Sequence, residues 1–200
     1  PILTQDDTAL ETVMVAEKFL GNGVCAVDLA GNETAYPTET FKDVFALAKE
    51  KAIPVVIHAG EAAGPDSMWH ALELGAVRIG HGIRAIEDAQ LRQVLKEKKI
   101  YLEMCYSSNL QTKTVDKAED YPLVTFISEG LGVTLNTDNL TVSNTTLKRE
   151  YSMVQKQFSL SDDMLKAIAM NSVDAAFLSA EEKEALKKHV DSEFLRWLHS

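Results

Sequence analysis

Two cysteines in 200 residues exclude a disulfide-stapled scaffold, and no Cys-x-x-Cys pair is present to build a structural zinc site. Cys25 and Cys105 both lie in apolar, strand-like runs, which predicts two reduced, buried thiols. No apolar run approaches the roughly 18 residues needed to span a bilayer, so no membrane association is expected. Basic residues are in deficit: 20 Lys and Arg against 30 Asp and Glu give a net charge of −10. Such a surface repels phosphate backbones and anionic lipid, so nucleic acid is not an expected partner. Proline is scarce, at five residues, and there is no low-complexity tract or long run of one charge. A single domain over 1–200 is therefore expected. The opening residues Pro1 to Asp7 carry no basic side chain, which predicts no secretory leader and a cytoplasmic location.

What remains is an ordinary globular composition, 46% hydrophobic and 25% charged. Short runs rich in Val and Ile alternate with stretches of helical period. The strand-like runs are Val24–Leu29, Pro54–His58, Val77–His81, Ile100–Cys105 and Val133–Asn136. Several are apolar on successive residues, as in parallel strands buried on both faces. Helices are expected over Thr4–Gly21, Thr38–Lys51, Pro65–Leu74, Ile86–Lys98, Pro122–Glu129, Asn144–Phe158, Ser161–Leu178 and Ala180–His199. Thr4 to Asp7 reads as a capping-box-like start and Thr38 as an N-cap. Alternating βα units predict an α/β fold with a parallel sheet. Periodicity leaves a doubly wound sheet and part of a barrel both open.

The chemistry lies at the strand ends. The runs finish in Asp28-Leu29-Ala30-Gly31, His58-Ala59-Gly60-Glu61, Gly80-His81-Gly82, Glu103 to Asn109, and Asn136-Thr137-Asp138-Asn139. Ionisable groups in buried strands are costly unless paired or bound to something. In an α/β barrel the C-terminal strand ends form the active-site face. Taken one at a time, Asp28 reads as a buried, hydrogen-bonded strut and Asp138 as an N-cap or turn residue. His70, His189 and His199 fall in helices and read as structural or solvent-facing. Together, imidazoles and carboxylates at successive strand ends suit a zinc ion whose open position holds water.

Three of these strand ends with their neighbours, His58 to Glu61, Arg78 to Gly82 and Leu135 to Asn139, resemble the adenosine deaminase family of the amidohydrolase superfamily. The likeness continues at Asp28 to Gly31, Ser107 to Thr112 and Asn171 to Phe177. It implies a partial TIM (β/α)₈ barrel, strands 4–8 with their helices plus C-terminal helices. It also implies zinc-dependent hydrolysis of adenosine to inosine and ammonia, in purine metabolism. By the resemblance, His58 and Asp138 are zinc ligands, and Asp138 also holds the attacking hydroxide. Glu61 protonates purine N1, and His81 orients the hydroxide. The Gly31 amide contacts N3, and Asn139 stands where a second Asp touches N7 in better-known members. Tyr106 stands where many bacterial members have Pro.

The family's His-x-His pair, which supplies two more zinc ligands, is absent. By analogy three strands are missing, on the order of 90 residues at about 30 per βα unit. This chain alone is expected to be inactive, to lack its zinc and to self-associate through open sheet edges. The alternatives are a related aminopurine deaminase and a non-catalytic fragment that retains the motifs.

Overall fold

Val55, Val56 and Ile57 are each at most 4% exposed, as expected of a strand covered on both faces. In the computed structural model, which describes residues 7–200, they open strand β2, Val55–Ala59. The Thr4 to Asp6 start therefore lies outside the described residues. The chain divides after Ile100 into two compact units.

The first unit holds β1 (Val27–Leu29), β2 and β3 (Ala76–His81), all parallel. β1 pairs Val27 with Val55 and Leu29 with Ile57; β3 pairs Gly80 with His58 and His81 with Ala59. Its helices are α1 (Asp7–Phe19), α2 (Lys42–Glu50), α3 (Pro65–Glu73) and α4 (Ala89–Glu97). Val24 makes only an isolated bridge to Leu20, so β1 is shorter than the apolar run suggested. Thr38 is not the cap of α2. It opens a 3₁₀ turn, Thr38–Phe41, and Phe41 occupies the N-cap of α2. The predicted Ile86–Lys98 helix is likewise split by Asp88. A 3₁₀ turn (Ile83–Glu87) ends there, and the Asp88 carboxylate caps α4 through the Gln90 and Leu91 amides at 2.9 and 3.0 Å. Cys25 is exposed, not buried, because the chain around it is not in a strand; Cys105 is buried, and neither is part of a disulfide.

The second unit holds β4 (Tyr101–Met104) and β5 (Val133–Leu135), parallel, with Leu102 opposite Val133. A bare Gly132 lets β5 begin beside Tyr101, since a Cβ there would fall 2.6 Å from that ring. Six helices follow β4: α5 (Tyr106–Gln111), α6 (Leu123–Glu129), α7 (Leu140–Ser143), α8 (Leu147–Phe158), α9 (Asp162–Ala175) and α10 (Ala180–His199). The last opens with a full capping box between Ser179 and Glu182. α5 lies where the sequence read only a strand end. Its Tyr-Ser-Ser-Asn start has poor helix propensity. Tertiary contacts hold it instead: Glu150, itself fully buried, accepts the Ser107 amide at 3.0 Å and the Thr145 hydroxyl at 2.6 Å. No helix among the described residues is long and apolar enough to cross a membrane.

Candidate active site

In the first unit three strand ends present their polar residues together. His58 is the one position of β2 that is not buried, and its imidazole stands opposite Gly80 on β3. A Cβ at Gly80 would lie 2.5 Å from Cδ2 of that ring. The missing side chain makes room for His58. Its Nε2 faces Asp28 Oδ2 at 3.4 Å. Asp28 is exposed, so it is not the buried strut expected of a strand residue.

Where β2 and β3 end, the chain turns left-handed at Gly60 (φ 69°), His81 (φ 61°) and Gly82 (φ 67°). Glycine adopts this conformation freely, but a histidine there carries a steric cost. Such backbone strain persists only where its surroundings impose it. Here the strand ends are stitched past the sheet by Gly82 N–H to Ala59 O at 3.1 Å and Arg84 N–H to Gly60 O at 2.9 Å. The result points the buried His81 ring, 2% exposed, at Glu61: Nε2 to Oε2 is 3.4 Å. The His58 and His81 rings meet edge-on, with centroids 5.1 Å apart. An imidazole and a half-buried carboxylate at this separation can exchange a proton through a short movement, the geometry that acid–base catalysis requires.

Gly31, at the end of β1, is exposed, and a Cβ there would meet nothing within 4 Å. It borders a cavity of about 30 Å³ shared with Glu33, Tyr36 and His58. That volume suits about one water, far below the roughly 300 Å³ of a small-molecule pocket. This cavity by itself is too small to enclose a nucleoside.

In the second unit Asp138 follows β5 with φ 53°, again left-handed, and is exposed. Its Oδ2 accepts the hydroxyl of Ser108, a buried residue of α5, at 2.7 Å. Asp138 is not the helix cap. Asn139 caps α7, its Oδ1 accepting the Thr141 and Val142 amides at 3.1 and 2.9 Å. With the oxygen so engaged, the side-chain orientation is fixed and the Nδ2 donors point away from the helix. A larger cavity in this unit, about 370 Å³ among Leu147, Tyr151, Phe194 and Trp197, includes none of the strand-end residues.

The structure therefore links Asp28 to His58, His58 to His81 and His81 to Glu61 in a row, while Asp138 and Asn139 adjoin each other beyond β5. Sequence reasoning named no part for Ser108 or Glu33 and did not set Gly80 against His58. For Gly80 the signal was its register against His58, invisible without strand pairing. Among the described residues no three His, Cys, Asp or Glu side chains lie close enough to hold a metal ion. A catalytic zinc takes three protein ligands and keeps a fourth position open. The described residues alone do not fit that requirement.

Parallel strands interleaved with helices, with imidazoles and carboxylates at their C-terminal ends, define an α/β fold of the (β/α)₈ hydrolase type, present in part. The chain matches the adenine deaminase of Arthrobacter aurescens over 100% of its own length and 59% of that chain, with a TM-score of 0.86 and 27% identity. It matches the Arabidopsis ADAL protein in complex with IMP over 96% of its length and 55% of that chain, with a TM-score of 0.86 and 28% identity. Residues 2–193 match the adenosine deaminase family model, and the chain belongs to that family. It is 48% identical over 188 residues to the adenosine deaminase of Haemophilus ducreyi, covering 92% of this chain and 55% of that protein. The chain thus spans about half the length of the curated relatives it matches.

Proposed function

We propose that this chain carries part of the machinery for hydrolytic deamination of adenosine: water adds at C6, ammonia leaves, and inosine remains. The observation that carries this reading is the Glu61–His81 pair, 3.4 Å apart at the ends of β2 and β3. Glu61 would donate a proton to purine N1, which makes C6 electrophilic. His81, held in place by its left-handed backbone, would orient the attacking water and receive its proton. The exposed Gly31 amide would reach N3. Asn139 suits N7 for a specific reason. Its oxygen is occupied by the α7 amides, so it offers only N–H donors, and N7 is an acceptor.

The family resemblance assigns zinc to His58 and Asp138. Two such ligands fall short of a catalytic site, so no step is routed through the metal here. The same shortfall supports the reading that these 200 residues alone are inactive, a non-catalytic piece with the motifs retained. The deciding experiment is an adenosine deamination assay with zinc measured on the same sample. We expect neither turnover nor stoichiometric zinc from the 200 residues alone. In the full-length natural protein, Glu61→Gln should abolish most turnover while zinc content stays constant. Robust turnover by the isolated chain would overturn the first expectation, and near-normal turnover by Glu61→Gln the second.

A second reading, a deaminase acting on another aminopurine, is favoured by the likeness to an adenine deaminase. Comparing adenosine, adenine and AMP as substrates separates the two. The cytoplasm is the proposed location, and purine metabolism the proposed setting.

A further inference from the structure

The loop that carries Glu61 is held by a second acid. Glu33 lies two residues beyond Gly31 in a turn that Asn32 organises locally. The Asn32 side-chain oxygen accepts the Ala35 amide at 2.9 Å and the Thr34 hydroxyl at 2.8 Å, and its carbonyl accepts the Tyr36 amide at 3.0 Å. From this fixed point the Glu33 carboxylate reaches across to β2. Oε1 accepts the Gly60 amide at 2.6 Å and the Ser67 hydroxyl. Oε2 accepts the amides of Glu61, Ala62 and Ala63 at 3.1, 2.8 and 2.9 Å. Four consecutive backbone amides thus converge on one side chain. The left-handed turn at Gly60 makes this concave nest of N–H groups, which favours negative charge. Alanine at Gly60 would break it twice over, through its φ of +69° and through a Cβ 2.4 Å from Met68 Sδ.

The opposite edge of the loop is also held. The Arg84 amide donates to Gly60 O at 2.9 Å, and its Nε donates to Glu61 O at 3.3 Å. Glu61 is therefore gripped at its own N–H by Glu33 and at its own carbonyl by Arg84. Its side chain is left to face His81. A carboxylate engaged as acceptor by five donors is poorly placed to be the proton donor itself. Its position suits it to fix the neighbour that is.

We propose that Glu33 is a positioning residue for Glu61: its carboxylate sets the backbone of Gly60 to Ala63 and thereby the aim of Glu61 at His81. This rests on the deaminase reading, in which Glu61 is the acid. Glutamine at 33 keeps the shape but replaces one acceptor oxygen with a donor, which faces amides that also donate.

The test compares Glu33→Gln and Glu33→Asp with Glu61→Gln in the full-length natural protein, by amide hydrogen exchange at residues 60–63 and by adenosine kinetics across pH. For Glu33→Gln we expect exchange at these amides to rise at least about tenfold, the loss of local protection. We expect kcat to fall by roughly 10- to 100-fold with KM within about threefold, the signature of a misaimed catalytic group. The limb of the kcat profile that Glu61→Gln removes should shift. Glu33→Asp keeps both oxygens on a shorter stem and should recover part of kcat. Faster exchange with unchanged kcat and pH profile would make Glu33 a structural staple only and overturn the proposal. Unchanged exchange would overturn it as well. Wild-type turnover by Glu61→Gln would instead sink the assignment of Glu61, while the exchange data still decide whether Glu33 holds the loop. Should Glu33→Gln fail to fold, the same two measurements on Glu33→Asp decide, with loss of kcat and protection together expected.

Discussion

Gly80→Ala should act first on His58, and the structure lets the effect be isolated. Gly80 has no left-handed φ, so its backbone accepts alanine. The new methyl would lie 2.5 Å from Cδ2, 2.8 Å from Cγ and 3.0 Å from Nε2 of His58. Ordinary contact begins near 3.4 Å, so the ring must withdraw by about 1 Å, or β2 and β3 must part. Overpacking of this kind costs about 1–3 kcal/mol. In a His58→Ala background the obstacle is gone. There the same substitution should be neutral or stabilising by up to about 1 kcal/mol, because alanine restricts the unfolded chain more than glycine does. The assay is a double-mutant cycle read by urea denaturation, with the coupling between the sites as the measured quantity. Coupling of about 1–3 kcal/mol is expected, with the destabilisation by Gly80→Ala disappearing in the His58→Ala background. If Gly80→Ala destabilises equally with or without the imidazole, the crowding argument is wrong. In the full-length protein the displaced ring should also lower deaminase kcat, by up to about 100-fold for a 1 Å error.

Ser108→Ala removes the hydroxyl that Asp138 accepts at 2.7 Å, and should lower zinc affinity by roughly 10- to 100-fold if Asp138 is a ligand, measured by chelator competition in the full-length protein. Thr145→Val leaves the buried Glu150 carboxylate short of one donor and should cost about 1–3 kcal/mol in urea denaturation. The Asp88 carboxyl is held below its ordinary 3.8 first by the Leu91 amide of the α4 cap and then by the Trp69 indole. Its contribution to stability is therefore complete above the unfolded value and is lost as pH falls through the lowered folded value. Trp69→Phe should move the Asp88 titration upward towards 3.8, as followed by NMR; an unmoved titration would refute the indole's part.

The strands and the motif residues at their ends were legible because buried parallel strands announce themselves as unbroken apolar runs, and β2 did so over Val55 to Ile57. His58, Glu61 and His81 stood out for the opposite reason, as polar groups at the ends of such runs. What the sequence hid were relationships set by pairing across the chain. Gly80 gains meaning only from its register with His58, and Glu33 only from amides 27 to 30 residues away. A lone glutamate after a glycine looks like a solvated loop residue. α5 was hidden because its order comes from Glu150, 43 residues downstream, not from local propensity. Asp28 and Cys25 were misread as buried because a strand only three residues long covers less than its apolar run implied.

The left-handed backbone at His81 and Asp138 bears on how this protein could change over generations. An L-residue in that conformation costs about 1–2 kcal/mol, a cost that glycine escapes. Glycine at either position should therefore relax the backbone while deleting the very side chain the chemistry is proposed to use. A laboratory selection scored on thermal survival alone would drift toward such replacements, and one scored on turnover would purge them. Stability and activity are set against each other at these two residues, so neither can be improved there without loss to the other.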